Sequence, residues 1–331
     1  MAVLVVGGAG YIGSHTAHVL RRKGYDVIIY DDLSNGRKEL AEGFELIVGD
    51  IGDGAKLAKV LTRCDAVMDF AAHAYVGESV QNPKKYFHNN VVSSLTLLDA
   101  VMESRIRKFI FSSTCAVYGD PVKVPITESN PRQPVNPYGS TKLAFENALE
   151  AYGRAYGLRF VCFRYFNAAG ADESGAIGEM HDPETHLIPL IFQAAQGKRA
   201  ALDIFGDDYP TSDGTCIRDY IHVTDLAEAH VLGLEYLANQ PAPRSSPGQS
   251  TSSSAMNLGT GTGYSVKEVV AAVERISGRK VPTHVAPRRP GDPPELVADP
   301  SLAEKLLKWK AKRSLDDIIS TAWKWAQKSG N

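Results

Sequence analysis

Apolar residues in this chain arrive in short runs separated by helical stretches. Val3-Leu4-Val5-Val6 is apolar at every position, which predicts a strand buried on both faces. Gly7, Gly10 and Gly13 follow at three-residue spacing, so the strand leads into a tight turn and then a helix over about Tyr11 to Lys23, closed by Gly24. Val27 to Tyr30 is a second buried run, and Leu46-Ile47-Val48 reads as a third, closed by Gly49-Asp50. Ala55 to Leu61 reads as a short helix and Ala66 to Phe70 as strand four. Val91, Leu95, Leu98 and Met102 mark a long helix from about Pro83 to Ser104, with Val92, Leu97 and Val101 as a second apolar stripe. Lys108 to Phe111 is strand five, ending in Ser112-Ser113-Thr114. This alternation predicts an α/β fold built on a doubly wound, Rossmann-type parallel sheet.

A proline-containing stretch from Pro121 to Pro137 precedes a helix from Tyr138 to about Tyr156, and Leu158 to Tyr165 is strand six. Glycines and prolines then break the chain, which predicts a dinucleotide-binding domain over 1–167 and a smaller α/β substrate-binding domain over most of 168–331. The chain is expected to return to the first domain at about 223–260, through a helix over Val223 to Leu237 and a strand over Ala255 to Gly259. Val266 to Ile276 and Asp316 to Lys328 are further helices, and the Pro/Ser-rich stretch Gln240 to Ser254 reads as a mobile loop.

The glycine spacing carries the first chemistry. Gly7 permits the turn, Gly10 lets backbone approach a pyrophosphate, and Gly13 lets the helix press on the sheet, while the helix N-terminus offers N–H groups to an anion. Asp31, at the end of the second strand, stands where such motifs place a carboxylate on the adenosine ribose. A carboxylate there repels a 2′-phosphate, so the expected cofactor is NAD rather than NADP. Asp50, at the third strand's carboxyl end, has two readings: an adenine contact, or a turn-forming Asp after Gly. Ala71 and Ala72 end strand four and are small enough for a cofactor to lie against.

Tyr138 and Lys142 lie four apart on one helix face, and Thr114 ends a strand aimed at the same edge. A phenol with a pKa of about 10 is no base at neutral pH without a nearby cation, which Lys142 supplies.

Composition narrows the partners. At 331 residues and 44% hydrophobic the chain can bury more than one core, and a net charge of −2 with scattered Lys and Arg excludes an electrostatic footprint for nucleic acid or an anionic membrane. Phosphate recognition must then be local. Arg218 and Arg289 suit that task as bidentate clamps; each alone reads equally as a solvated surface charge, and Asp219 as the ion-pair partner of Arg218. With no targeting or membrane segment evident, a cytoplasmic protein is expected. The four Cys lack C-x-x-C spacing and the nine His are dispersed, so no metal is assigned.

At these residues the chain resembles the extended short-chain dehydrogenase/reductase family, most closely its UDP-galactose 4-epimerases. The resemblance runs through GGAGYIGSH at Gly7, FAAHAYVGESV at Phe70, SSTCAVYGD at Ser112, NPYGSTK at Asn136, RYFNAAGAD at Arg164, IFGDDYPTSDGTCIRDYIHV at Ile204, NLGTG at Asn257 and PRRPGD at Pro287. It implies Tyr138 as base, Lys142 as the group that lowers its pKa, and Thr114 as the hydroxyl linking the sugar 4-OH to Tyr138. It places Gly7, Gly10, Tyr11, Ile12, Asp31, Asn35, Asp50, Ile51, Phe70, Ala71, Ala72, Asn89, Ser112, Tyr138, Lys142 and Tyr165 around NAD. Asn167, His186, Leu187, Phe205, Arg218, Arg289 and Asp292 are implied to hold the UDP moiety.

Leu296 is implied to border the sugar's C2 substituent; as an apolar residue before Val297 it also reads as part of a buried strand. The implied reaction interconverts UDP-galactose and UDP-glucose through a 4-ketose, with N-acetylated sugars as further substrates. The rivals are a 4-epimerase of another UDP-sugar such as UDP-xylose or UDP-arabinose, a 4,6-dehydratase, and a nonenzymatic NAD-sensing regulator. Cys115-Ala116 after Thr114 lacks the acidic residue of a dehydratase, and a regulator has no use for the retained Tyr138 and Lys142. The two-striped Pro83 to Ser104 helix and the Tyr138 helix point to a homodimer through a helix bundle.

Overall fold

The computed structural model describes residues 1–240, 254–289 and 291–329. The stretch read as a mobile loop lies, over 241–253, outside the described residues.

Seven parallel strands form the central sheet, in spatial order Ser254–Leu258, Arg159–Tyr165, Lys108–Thr114, Ala66–Asp69, Ala2–Val6, Asp26–Asp31 and Glu45–Val48. The first strand sorts its side chains by parity. Val3 and Val5 enter one core with Leu20, Leu226, Val231 and Leu234, from the helices Tyr11–Arg22 and Val223–Asn239. Leu4 and Val6 enter the opposite core with Leu57, Leu97, Val101, Phe145 and Leu149, from Gly54–Leu61, Ser94–Glu103 and Pro137–Tyr156. A strand covered on both faces has no polar side, which is why its sequence is apolar throughout. Strand order reverses about Ala2–Val6, and at such a switch the carboxyl ends of a parallel sheet diverge into a crevice.

A third core lies outside this sheet, with Ile191, Phe192, Ile204, Tyr220, Val273, Ile318 and Trp323 buried together. It packs under a small sheet in which Ile217–His222 pairs with Gly263–Ser265, Glu295–Leu296 and Asn167–Ala169. The helix Val223–Asn239 and the strand Ser254–Leu258 belong to the first layers, and so do Ala303, Leu307 and Trp309. That last segment was expected in the second part. Its apolar spacing fits either core, and contact with the 223–239 helix decides it.

The long helix expected over 83–104 is interrupted. Pro83–Phe87 and Ser94–Glu103 are α-helical, but His88–Ser93 between them is a π-helix. Its wider turn shifts the faces relative to an unbroken helix. Val92, assigned to the second stripe with Leu97 and Val101, is accordingly 55% exposed while those two are fully buried.

Candidate active site

The glycine loop is held by close packing. Gly7 has φ +71°, and a Cβ on it would lie 2.6 Å from the Ala71 nitrogen, so the first turn is pressed against the end of strand Ala66–Asp69. A Cβ on Gly13 would come within 2.9 Å of the Gly8 Cα, so the helix can approach only as glycine. Gly10 is the N-cap of that helix and offers no side-chain cap, leaving Tyr11, Ile12 and Gly13 to present backbone donors. This fits a pyrophosphate, as do the small Ala71 and Ala72 beyond Asp69.

Asp31 carries a second duty. Its Oδ2 accepts from the Ala9 N–H at 2.9 Å and its Oδ1 from the Leu33 N–H at 2.9 Å, so it fixes the glycine loop as well as the turn after its own strand. The Asp50 carboxylate accepts from the Gly52 N–H at 2.6 Å, the turn-forming contact, and remains exposed, while Ile51 is buried in the core. Tyr11 donates its hydroxyl to the Gly170 carbonyl at 2.6 Å, so its side chain ties the loop helix to the chain beyond Asn167. The Asn35 amide lies 3.5 Å from His73 Nδ1. Asn89 donates to Asn90, which is itself buried and bonds both backbone groups of His73 and the Thr141 hydroxyl. The role of Asn90 was not read from the sequence, because only the π-turn aims it at the helix carrying Tyr138.

The parallel pairing of Lys108–Thr114 with Arg159–Tyr165 sets Thr114 opposite Tyr165 at the sheet's carboxyl edge. The Asn136 side chain caps the next helix through the Gly139 N–H at 2.8 Å, with Pro137 in its first turn, so Tyr138 emerges at the helix start. Thr114 stands beside the Tyr138 phenol, near enough for its hydroxyl to bear on the phenol's proton, and its Oγ1 accepts from the Ala116 N–H at 3.1 Å. Lys142 Nζ donates to the Ser112 carbonyl at 2.8 Å and lies 4.7 Å from the Phe111 ring centroid. Ser112 Oγ and the Tyr165 hydroxyl are hydrogen-bonded. Thus the buried Ser112, Thr114, Tyr138 and Lys142 and the half-buried Tyr165 form one group, while Phe70 packs nearby against His230 with centroids 4.9 Å apart.

Electrostatics differs from the simple expectation for Tyr138 and Lys142. Burial pushes the phenol well above its ordinary value, Tyr165 adds to this, and the Thr114 hydroxyl pulls the other way. Burial lowers Lys142 to about 8, against the pull of Asp69 and Glu146. Burial likewise raises Asp69 to about 6, against Lys142. Lys142 thus bears on the Ser112 carbonyl and on Asp69 while standing one helical turn from Tyr138.

On the other wall, Arg218 pairs with Asp292, across 74 positions of sequence, and donates to the Ile217 carbonyl at 2.8 Å. Asp219 is not its partner. That carboxylate is fully buried and accepts from the backbone of Thr260, Gly261 and Ala298 and from the Thr260 hydroxyl, because adjacent strand residues face opposite ways. Arg289 lies exposed with its guanidinium 3.9 Å from the Phe205 ring centroid. Leu296 is in register with Arg218 and packs, half-buried, on the cluster containing Cys115 and Phe166. Asn167 opens its short strand, and His186 is the N-cap of Leu187–Ala195. The histidines are not all dispersed: His181 and His186 meet at Glu179.

This is a dinucleotide fold with a Tyr–Lys–Thr group on the sheet edge, and the profile of the NAD dependent epimerase/dehydratase family matches residues 3–246. The chain belongs to that family, and its cofactor is NAD. It is 49% identical over 328 residues to the UDP-glucose 4-epimerase of Halalkalibacterium halodurans, covering 98% of this chain and 95% of the relative. Among solved structures it is similar to UDP-glucose 4-epimerase from Brucella ovis in complex with NAD, at 51% identity and TM-score 0.92 over 97% of each chain. The enzyme from Bifidobacterium longum in complex with NAD+ and UDP is similar at 39% identity and TM-score 0.92, over 100% of this chain and 99% of that one.

Proposed function

We infer that the chain is an NAD-dependent UDP-sugar 4-epimerase whose principal reaction interconverts UDP-galactose and UDP-glucose. The observation that carries this is the buried Thr114–Tyr138–Lys142 group together with the Arg218–Asp292 pair, whose guanidinium bears on Cys115 directly after Thr114. Bound NAD supplies a hydride acceptor and donor at the sugar's C4, together with a positively charged ring.

The chain's residues do the rest. Gly7, Gly10, Tyr11, Ile12, Asp31, Asn35, Asp50, Ile51, Phe70, Ala71, Ala72, Asn89, Ser112 and Tyr165 hold the cofactor, with Lys142 at its ribose. Tyr138 takes the 4-OH proton and later returns it, Thr114 orients that hydroxyl, and the dry surroundings keep the proton between them. Arg218 and Arg289 clamp the diphosphate, Phe205 stacks on the base, and Asn167, His186, Leu187 and Asp292 complete the nucleotide site. Binding energy from the nonreacting UDP retains the 4-ketose while it presents its other face. Residues 1–167, with the return at about 223–260, serve mainly the cofactor, and most of 168–331 serves the substrate, Thr114 and Tyr138 reaching the sugar from the first part.

Elimination lacks its acid here, since Cys115 and Ala116 follow Thr114 where a dehydratase carries acidic residues. Exposed Phe87 and Val92 along the interrupted helix, with exposed Val80 on the short helix Val76–Gln81 before it, support a homodimer on that side. Among the described residues no helix is long and apolar enough to cross a membrane. The test is incubation of the purified protein with UDP-galactose, UDP-N-acetylgalactosamine and UDP-xylose separately, together with analysis of the nucleotide freed by denaturation. Fast formation of UDP-glucose and release of NAD are expected; no epimerisation, or NADP in the supernatant, overturns the reading.

A further inference from the structure

A cluster apart from the Tyr138 group lies in the loop between the strand Asn167–Ala169 and the helix Leu187–Ala195. Glu179, His181, Glu184 and His186 each offer one ligand atom, and these four atoms all lie within 4.8 Å of one another. Their spacing of two, five and seven residues is not helical, so the fold of the loop brings them together.

The loop is anchored where it needs to be. Trp325 Nε1 donates to the Glu179 carbonyl at 2.9 Å, which ties the first ligand to the helix Leu315–Ser329. Glu184 Oε1 accepts from the backbone N–H groups of Thr185 and His186 at 2.7 and 2.8 Å, which fixes the last two relative to each other. The Glu179 side chain is only 8% exposed, and both imidazoles turn Nδ1 toward its Oε1, that of His181 at 2.8 Å and that of His186 closer. Tyr11 and Tyr75 stand edge-on to His181 with centroids 6.2 and 6.1 Å away, so aromatic rings wall the cluster on that side.

We propose that Glu179, His181, Glu184 and His186 form a binding site for one divalent transition-metal ion of the zinc class. Two imidazole nitrogens with two carboxylate oxygens suit zinc, cobalt, nickel, iron or manganese, whereas magnesium and calcium take oxygen ligands. Metal–ligand bonds of about 2.0–2.2 Å in a tetrahedron place ligand atoms about 3.3–3.6 Å apart. The four side chains therefore need to close by no more than rotamer adjustments. The two carboxylates balance the ion's charge. Each Nδ1–H that now points at Glu179 gives way as the ion binds, by moving to Nε2 in a neutral ring or by leaving a charged one. His181 meets Tyr11 at the start of the helix that follows the glycine loop, and His186 occupies the N-cap position of the helix Leu187–Ala195. An ion here would pin this loop between the cofactor side and the nucleotide side of the crevice.

The experiment uses tag-free protein with its bound nucleotide, stripped with chelator and titrated with Zn2+ by calorimetry and with Co2+ by visible absorption. One equivalent of each metal is expected, with cobalt bands of a low-coordinate nitrogen/oxygen site. His181→Gln and Glu184→Gln are each expected to weaken binding by at least about tenfold, the lower end of what disturbing the surroundings of a metal site costs. Both keep a polar side chain of similar reach, and a native melting curve in chelator shows that either is folded; if one is not, the other decides. No stoichiometric uptake by the wild type, or unchanged affinity in a folded variant, overturns the proposal.

Discussion

Arg164 and Glu146 form a two-pronged ion pair sealed from water, with Nε to Oε1 at 2.9 Å, Nη2 to Oε2 at 2.6 Å, and side chains 3% and 1% exposed. Arg164 also donates to the Tyr118 hydroxyl, and Glu146 accepts from Ser113 Oγ. The pair therefore clamps the helix carrying Tyr138 and Lys142 to the two strands ending in Thr114 and Tyr165. Arg164→Met leaves the buried Glu146 carboxylate with only the longer Arg132 contact at 3.4 Å and the Ser113 hydroxyl, and about 3–5 kcal/mol of stability should be lost. Urea midpoints check this: the single variant should fall well below the double variant Arg164→Met/Glu146→Leu, which strands no charge. Equal losses in the two would contradict the account.

Removal of the Tyr138 hydroxyl isolates the proton-transfer step. Tyr138→Phe keeps the ring in its buried seat and is expected to lower kcat by about 10²–10⁴-fold, with UDP-sugar binding and melting temperature little changed. Steady-state rates alongside calorimetric binding make the comparison. Near-normal turnover would remove Tyr138 from its role.

Acid should destabilise the protein through three buried histidines. Burial lowers His15, His222 and His230 from 6.5 to about 4, with the Tyr11 carbonyl opposing the shift in His15, the Arg313 charge reinforcing it in His222, and the Leu226 carbonyl opposing it in His230. The unfolded chain binds these protons near pH 6.5 and the folded chain only near 4. Between those values unfolding takes up protons, so their share of stability is whole above the unfolded pKa and declines as pH falls. Melting temperature should drop from pH 7 to 4.5, and His230→Leu should make that slope shallower. An unchanged slope in the variant would show that other groups govern acid unfolding.

Substrate breadth is expected to turn on Leu296, which lies in register with Arg218 and beside the Cys115 cluster. Leu296→Tyr should lower kcat/KM for UDP-N-acetylgalactosamine by about 10–200-fold, the worth of a steric gate. UDP-galactose should be nearly unaffected. Equal loss on both substrates, or on neither, would leave Leu296 as packing alone.

The sequence by itself determined the features that are local. A strand covered on both faces must be apolar throughout, so Val3 to Val6 could be read directly. A helix–strand contact without room for a Cβ needs Gly13, and four-residue spacing on a helix puts Tyr138 and Lys142 on one side. Tertiary structure decided what depends on distant partners. It turned Arg218 to Asp292 rather than to its neighbour Asp219, whose carboxylate instead holds the backbone of Thr260, Gly261 and Ala298. It settled the faces of the 83–104 helix, because the π-turn at His88–Ser93 breaks a periodicity that assumes one pitch. It gathered Glu179, His181, Glu184 and His186 in a loop, where no repeat exists to announce them. The physical reason is common to all three: periodicity reports which face of an element is buried, and only the packing of elements decides which groups meet there.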